Sequence, residues 1–373
     1  MRNKIFKYFF KEFIILFLII LFSFTLIVWI AQSVNFLNYV TEDGYNFKTF
    51  FFYSILNLPK ITSKLLPFIF FISFAVTLLK FESNNELIIF WINGINKMKL
   101  VNFSILISFL ILFIQIIFTT IITPYSLNYS RSILKDSEFG LYANLLKEKK
   151  FNNTIKQLIF FVDKKYENEK LENIFIKDNS STNPRTIIAK SGIIDRNKLV
   201  NNLILFDGVI QSKSENNKIN FIDFEKTIIN LSSFSTKSIT SPKLQEKTTL
   251  SLLICFDYFS TLLNLKVKNK CTEKSQDIKS EINRRLGMPI YIPLLSVIVC
   301  FLFATKKELI NYTRNRYLIF TFAFSIIVIS EILVRYSGKN YLNALIYYAL
   351  PLILLVISYS ILIKKFKFEN LKR

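Results

Sequence analysis

The chain has no histidine and only three cysteines among its 373 residues, at positions 255, 271 and 300. Zinc sites and thioredoxin-like redox pairs need closely spaced Cys or His residues, and hydrolases of the Ser-His type need an imidazole base. We therefore expect no metal, no cofactor and none of these hydrolases, although a Ser-Lys variant stays open. Cys255 and Cys271 could form a disulfide in an oxidising compartment, but we expect two free thiols.

Glycine is also scarce, with seven residues in the chain, and no Gly-Lys-Ser or Gly-Lys-Thr sequence occurs. A nucleotide-binding loop needs clustered glycines whose backbone amides surround a phosphate. We therefore do not expect an enzyme, and any nucleotide energy must come from a partner. Acidic residues number 26 against 48 Lys and Arg. The basic residues cluster at the ends of apolar runs, as they do beside anionic lipid, so we predict no nucleic-acid partner.

Apolar sequence is abundant: 51% of the residues are hydrophobic, above the usual range of soluble domains. About 20 apolar residues in a helix cross the hydrocarbon core of a bilayer. Six runs qualify, the second once the aromatic stretch 50–58 extends it, and Pro124 is predicted to end the third. The runs are 13–31, 65–79, 100–122, 286–304, 317–334 and 341–363.

Between the third and fourth runs the apolar segments shorten to strand length. Turn-forming residues, including 195–197 and Asp207-Gly208, separate them at roughly ten-residue spacing, which is typical of a sandwich or jelly-roll. The predicted fold is an α+β membrane protein with six transmembrane helices, three plus three, and an inserted β-jellyroll-like domain. The predicted boundaries are 1–124 for helices 1–3, 125–249 for the β domain, 250–285 for a helical connector, and 286–373 for helices 4–6 and the tail.

Orientation follows from the distribution of Lys and Arg in the short flanks. The segments before the first run, between the second and third, between the fourth and fifth, and after the sixth are all basic. Six spans put these four segments on one side of the membrane. We therefore expect both termini in the cytoplasm and the β domain on the opposite side.

Residues 84–94, on the cytoplasmic side, predict a short amphipathic helix. Such a helix can dock into a groove on a partner protein, as the helices of ABC transporters do when they receive the movement of the ATPase. An interfacial helix that lies on lipid is the alternative. The residues assigned to the ATPase contact are Glu86, Leu87, Phe90, Trp91 and Gly94.

These features resemble the LptF/LptG family of lipopolysaccharide export permeases over nearly the whole chain. The helix that starts at Glu86 and ends at Gly94 matches one family pattern. The segment 281–289, with an acidic residue, a basic pair and a proline, matches a second. Residues 32–37 and 42–44 resemble the LptF branch more than the LptG branch.

Two positions depart from the family pattern. The helix at 84–94, which we call the coupling helix, lacks the basic residue that the family usually has there. We therefore expect its contact with a partner to be more apolar. Asn283 stands where relatives often carry His, so this position does not titrate near neutral pH.

The resemblance implies a permease subunit in the bacterial inner membrane that works with an LptG-like sister permease and a cytoplasmic ATPase dimer. It would extract lipopolysaccharide and pass it to periplasmic bridge proteins of jelly-roll fold, with its own β domain in the periplasm. Another ABC-type lipid or lipoprotein permease is one alternative. A non-transporting membrane scaffold is the other.

Lipopolysaccharide carries phosphates and acidic sugars, so a cavity that binds it needs cations beside apolar walls. Five basic residues lie at the depth of the outer interface in the six-span topology: Lys60, Lys64, Arg131, Arg284 and Arg285. Each alone is also typical of an interfacial residue that extends its charge into water. Glu331 in the fifth span, with Arg335 one turn later, forms a candidate intramembrane pair that serves as a local ion pair or as a gate.

Overall fold

The computed structural model of the protein describes residues 2–37, 46–145, 148–151, 158–166, 170–179, 184–197, 200–213, 219–230, 243–255, 275–304 and 312–371. The chain divides into two units. The membrane unit comprises residues 1–30, 57–128 and 243–373, and the sheet unit comprises 31–56 and 129–242.

Eleven α-helices are present in the described residues. They are α1 Arg2–Phe36, α2 Phe47–Leu56, α3 Leu58–Ser83, α4 Glu86–Ile92, α5 Lys97–Ile117, α6 Thr123–Leu145, α7 Thr249–Ile254, α8 Ser275–Gly287, α9 Tyr291–Val299, α10 Tyr312–Tyr336 and α11 Tyr341–Leu371. A π-helical segment, Phe118–Ile122, joins α5 to α6, and 3₁₀ turns cover Leu244–Glu246, Met288–Ile290 and Cys300–Ala304.

Six helical segments of the described chain are long and apolar enough to cross a membrane, three before the sheet and three after it, as predicted. They are Lys4–Phe36, Phe47–Ser83, Lys97–Leu134, Ser275–Ala304, Tyr312–Tyr336 and Tyr341–Lys367. The spans could be predicted because a helix enters lipid when its side chains are apolar, and the sequence shows this property directly.

The fourth span forms the centre of the membrane unit. Every residue of α9 is buried, and this helix packs against α3, α5, α10 and α11. In the fourth span, 78% of the most apolar window is buried, compared with 17% in the first span. A helix that is apolar on all sides is expected to be enclosed by others, whereas the first, fifth and sixth spans keep large exposed apolar faces that suit contact with lipid.

The prediction that Pro124 ends the third helix is wrong. The helix continues through the π-helical segment into α6 and ends at Leu145, so residues 125–145, predicted to open the β domain, are helical. Pro124 is the second residue of α6, a position where a missing N–H is tolerated. The hydroxyl of Thr249 donates a 2.7 Å hydrogen bond to the carbonyl of Thr120, one turn before the proline.

At other prolines of the membrane unit too, a side chain bonds the carbonyl that the proline leaves without a partner. A proline removes the N–H that would bond the carbonyl four residues earlier, and an unpaired carbonyl in lipid costs several kcal/mol. Side chains from other elements donate to three more such carbonyls. Gln115 donates to Ser63 before Pro67 at 3.4 Å, Thr119 to Arg285 before Pro289 at 2.9 Å, and Tyr291 to Tyr347 before Pro351 at 2.9 Å.

The sheet unit contains one five-stranded antiparallel sheet among its described residues, in the order β1-β2-β3-β4-β5. The strands are β1 Leu158–Lys165, β2 Lys170–Asp178, β3 Arg185–Asn197, β4 Val200–Lys213 and β5 Ile219–Asn230. This is the order of a meander, because each strand pairs with the next in sequence. An inserted antiparallel β region is therefore confirmed, and its closure into a jelly-roll stays a prediction.

The segments 195–197 and Asp207-Gly208, predicted as turns, lie inside strands instead. β3 runs to Asn197 and β4 runs through Asp207, where the backbone φ is 49°. Asn173 in β2 also has a left-handed φ, of 50°. Asn173 and Asp207 both stand where residue pairing is interrupted, and the same register resumes beyond them. Residues that favour turns are thus used here for a bend within long strands.

Gly208 lies next to this bend and is required by packing. A Cβ at this position would lie 2.3 Å from the backbone oxygen of Ile188 and 2.6 Å from the ring of Phe224. No side chain fits in that space, so the glycine that suggested a turn marks a close approach of neighbouring strands.

The cysteine expectation needs a correction. Cys255 is disulfide-bonded, so it is not the free thiol that we expected, and Cys300 is free and buried. Cys271 lies outside the described residues.

Candidate functional site

A cavity of about 260 Å³ lies within the membrane unit, and its lining is mostly apolar surface with charged and polar side chains among it. α3, α5, the π-helical segment, α8 and α10 supply most of the lining, and α6 and two 3₁₀ turns contribute Thr123, Gln245 and Met288. The lining residues are Lys60, Ser63, Lys64, Pro67, Phe68, Gln115, Thr119, Thr123, Gln245, Glu281, Arg284, Arg285, Met288, Ile327 and Glu331.

The cavity brings together four of the five basic residues that the sequence assigned to lipid binding: Lys60, Lys64, Arg284 and Arg285. Glu331, assigned to an intramembrane pair, also lines it. The fifth basic residue, Arg131, lies on α6 in the part of the chain that belongs to the sheet unit.

Glu331 has a different partner from the one that its helix suggested. Its Oε1 accepts a hydrogen bond from Nη2 of Arg284 at 3.1 Å, across the α8–α10 contact. Arg335 is exposed on α10, and no ion pair joins it to Glu331 in the described part of the chain. The guanidinium on α8 reaches the carboxylate on α10, so the ion pair forms between two helices and not along one.

Arg285 is a structural residue by its contacts. Its side chain is 3% exposed, and its Nε donates to Glu281 Oε1 at 3.1 Å. Nη1 donates to the Lys247 carbonyl and the Thr249 hydroxyl, and Nη2 to the carbonyls of Leu244 and Gln245. These contacts use the five N–H donors of a guanidinium. All five donors are thus used within the chain, where Arg285 holds the segment 244–249 against α8, and its lipid contact stays a prediction.

Lys60 and Lys64 remain as the unbalanced charges of the cavity. Among the residues that the structure describes, neither forms an ion pair with a carboxylate, whereas Arg284 and Arg285 each do. The two lysines lie four residues apart on α3, so they share one face of the helix. Lys60 is half-buried and Lys64 is exposed. Two cations without an ion-pair partner among the described residues, in a cavity whose four basic residues outnumber its two carboxylates, favour an anionic ligand.

The wall opposite the charges is polar but neutral, and the sequence analysis missed it. Gln115, Thr119 and Thr123 lie four residues apart along the third span and all line the cavity. The hydroxyl of Thr123 lies 3.5 Å from that of Ser63 on α3. The available signal was a glutamine inside a long apolar run, because such a residue faces a bundle interior or a cavity.

The helix predicted within 84–94 is present as the seven-residue α4, and its role in the ATPase contact stays a prediction. Phe90 is 4% exposed and lies 5.6 Å from the ring of Phe81, and Leu87 and Trp91 pack against the same core. Three of the residues assigned to the ATPase contact thus anchor the helix to the membrane unit. A short helix with apolar residues on every side has no polar face to indicate which side is outside.

The exposed face of α4 consists of three isoleucines, of which Ile88 and Ile92 are among the apolar residues that predicted a docking helix. Ile88, Ile89 and Ile92 are 53%, 55% and 78% exposed. Glu86 starts the helix and accepts a hydrogen bond from the Asn84 side chain at 3.1 Å, and Gly94 follows with a left-handed φ of 72°. A contiguous apolar surface of this kind marks an interaction site with protein or lipid.

A family model described as lipopolysaccharide export system permease LptF/LptG matches residues 7–365. The chain is also 28% identical over 363 residues to an uncharacterized protein of Rickettsia prowazekii (strain Madrid E), a match that covers 94% of this chain and 98% of that protein. Three membrane-length helices before an antiparallel sheet and three after it along the chain agree with the family match. The chain therefore belongs to the LptF/LptG family of lipopolysaccharide export system permeases, multi-pass proteins of the bacterial inner membrane.

Proposed function

We propose that this permease extracts lipopolysaccharide from the inner membrane and holds a phosphate of the lipid between Lys60 and Lys64. The observation that carries the proposal is the charge balance of the cavity. Each arginine is bonded to a carboxylate, and the two lysines have no such partner among the described residues. Phosphate accepts strong charge-assisted hydrogen bonds from ammonium groups.

The size of the cavity sets what it holds. A volume of about 260 Å³ falls just below the usual range of small-molecule pockets, roughly 300–1,000 Å³. It suits one phosphate and an adjoining sugar, whereas several acyl chains do not fit. The chains need an apolar path of their own, since each methylene exposed to water costs about 0.8 kcal/mol. The exposed apolar faces of the membrane helices supply such a surface.

The energy is proposed to come from a cytoplasmic ATPase dimer that docks on α4 and on the matching helix of an LptG-like sister permease. Ile88, Ile89 and Ile92 offer the contact, and the packing of Phe90 and Trp91 passes movement to the membrane unit. An apolar helix face seated in a groove is a common recognition mode. This arrangement keeps both chain termini in the cytoplasm, in agreement with the basic flanks.

The sheet unit is proposed to lie in the periplasm and to pass the lipid to bridge proteins. β5 lies at one end of the strand order and carries exposed Ile219, Phe221 and Ile222. An edge strand pairs with a strand of a second protein through its backbone, and apolar side chains on it extend the path for acyl chains. On residues 32–37 and 42–44 we assign the chain to the LptF branch.

Binding of lipopolysaccharide to the full-length protein, purified in detergent, tests the lysine site. Lys60→Gln and Lys64→Gln each remove one charge that lines the cavity, and Arg335→Gln removes one exposed charge on α10 that does not. A hydrogen bond to a charged group contributes about 1.5–3 kcal/mol, so each lysine change is expected to weaken binding by about tenfold or more. Wild-type affinity in both lysine variants, or an equal loss in Arg335→Gln, contradicts the proposal.

A further inference from the structure

Gln115 carries an acceptor that no group in the described part of the protein uses. The residue is 1% exposed and lines the cavity. Its Nε2 donates to the Ser63 carbonyl, which fixes the orientation of the amide, and its Oε1 has no hydrogen-bond partner. A buried acceptor left without a donor costs about 1–3 kcal/mol, and a ligand with a donor group removes that cost.

The donor must lie close to the anion site. Ser63, whose carbonyl fixes the Gln115 amide, lies one residue before Lys64 on α3, so both groups line one small cavity. A phosphate without protons offers no N–H or O–H to an amide oxygen. A sugar phosphate does, because hydroxyl and acylamide groups stand on the carbons next to the phosphate. A glycerol phosphate with two ester-linked chains lacks both groups.

We infer that Gln115 Oε1 is a second subsite of the cavity, which accepts a hydrogen bond from an O–H or amide N–H of a phosphorylated amino-sugar lipid. This inference rests on the proposed phosphate site at Lys60 and Lys64. It adds selectivity to that site. Phosphate alone is common to many membrane lipids, whereas a donor at a fixed distance from it separates sugar phosphates from diacylglycerol phosphates such as phosphatidic acid. A site built to bond a polar group discriminates strongly against a ligand that lacks it.

A simple Gln115 variant also loses the bond to the Ser63 carbonyl, so the subsite must be separated from this structural role. The carbonyl lacks its helical partner because Pro67 has no N–H. Pro67→Ala restores an N–H at that position and makes the Gln115 donor dispensable. In this background Gln115→Met, which is similar in volume and apolar, removes only the acceptor function under test.

The experiment compares full-length Pro67→Ala protein with the Pro67→Ala/Gln115→Met double variant in detergent. One probe is an N-acylated glucosamine phosphate lipid, and the other is phosphatidic acid, which carries the same phosphate monoester without the donor groups. The double variant is expected to bind the sugar lipid about tenfold more weakly and phosphatidic acid equally well. Replacing the amide of the sugar lipid by an ester then tells an N–H donor from a hydroxyl, since only an N–H donor is lost.

Equal affinity of the two proteins for the sugar lipid overturns the subsite and leaves the lysine site standing. An equal loss for both lipids also overturns it, because the change then acts on the cavity as a whole. Lys60→Gln/Lys64→Gln in the same background tests the lysine site itself. If phosphatidic acid still binds that protein at reference affinity, the phosphate is held elsewhere and the proposed function fails together with the subsite.

Discussion

The contacts of Arg285 lead to a prediction that separates a structural role from a lipid-binding one. Arg285→Ala removes five hydrogen bonds and leaves the carboxylate of Glu281, 13% exposed, without its partner. Arg285→Lys keeps the charge, but an ammonium has three donors and no planar fork. The two variants therefore remove different parts of the same cluster.

The expected magnitudes follow from burial. Removing one partner of a buried ion pair costs about 3–5 kcal/mol, because the other charge is left uncompensated. We expect this loss in the free energy of unfolding for Arg285→Ala. Arg285→Lys loses at least two hydrogen bonds at about 1 kcal/mol each, so about 2 kcal/mol is expected. Glu281→Gln/Arg285→Met removes both charges and should be less destabilised than Arg285→Met alone.

Unfolding of the full-length protein in mixed micelles, with lipid binding to the same samples, measures both effects. Glu12→Gln provides a matched control, because it removes a carboxylate from the Lys80 pair, in which Lys80 is 46% exposed. Exposed pairs of this kind contribute little to stability. Wild-type stability of Arg285→Ala combined with a loss of lipid binding would refute the structural assignment.

Four further substitutions test other parts of the account. Gly208→Ala puts a Cβ 2.3 Å from a backbone oxygen, so a loss of about 1–3 kcal/mol and earlier proteolysis of the sheet are expected, and unchanged proteolysis contradicts the packing argument. Ile92→Lys should abolish capture of the ATPase while the protein stays folded, whereas Phe90→Ala should lower stability by about 3–5 kcal/mol; wild-type capture by Ile92→Lys rules out the exposed face of α4 as the contact. Tyr291→Phe should cost about 1–3 kcal/mol in unfolding, and less in a Pro351→Ala background; equal costs in both backgrounds argue against the carbonyl contact.

The spans were predictable because the hydrophobicity that holds a helix in lipid is also the property that the sequence shows. A run of apolar side chains long enough to cross lipid is read directly from the chain. The end of the third span could not be predicted in this way. A proline ends a helix only where the carbonyl four residues earlier, which loses its N–H partner, finds no other hydrogen bond. At Pro124 a threonine distant in sequence, Thr249, supplies the hydrogen bond that the pattern could not reveal.

The basic residues of the cavity could be identified from their depth in the membrane. Their separate roles could not be predicted. Lys60 and Lys64 occur in a pattern that a sequence can show, four residues apart on one helix. Arg284 and Arg285 are neighbours in sequence with equal charge, yet one bonds Glu331 on another helix and the other holds a loop. Only the positions of the surrounding helices and turns decide between these outcomes.

The sheet shows the limit of turn signals. Asp207-Gly208 has the composition of a hairpin turn, and the same left-handed backbone serves a bend inside a long strand. Which of the two forms depends on the neighbouring strands, whose pairing continues at the same register on both sides. Local sequence does not contain that information.

The most direct test of the central claim is photo-crosslinking in cells that make lipopolysaccharide, with a photoreactive residue at position 68 or 356. Phe68 lines the cavity beside the lysines, and Val356 is an exposed apolar residue of α11 that does not. The account predicts a lipopolysaccharide adduct at position 68 that exceeds the one at position 356 and falls sharply in Lys60→Gln/Lys64→Gln. No adduct at position 68, or an adduct that is unchanged without the two lysines, contradicts it.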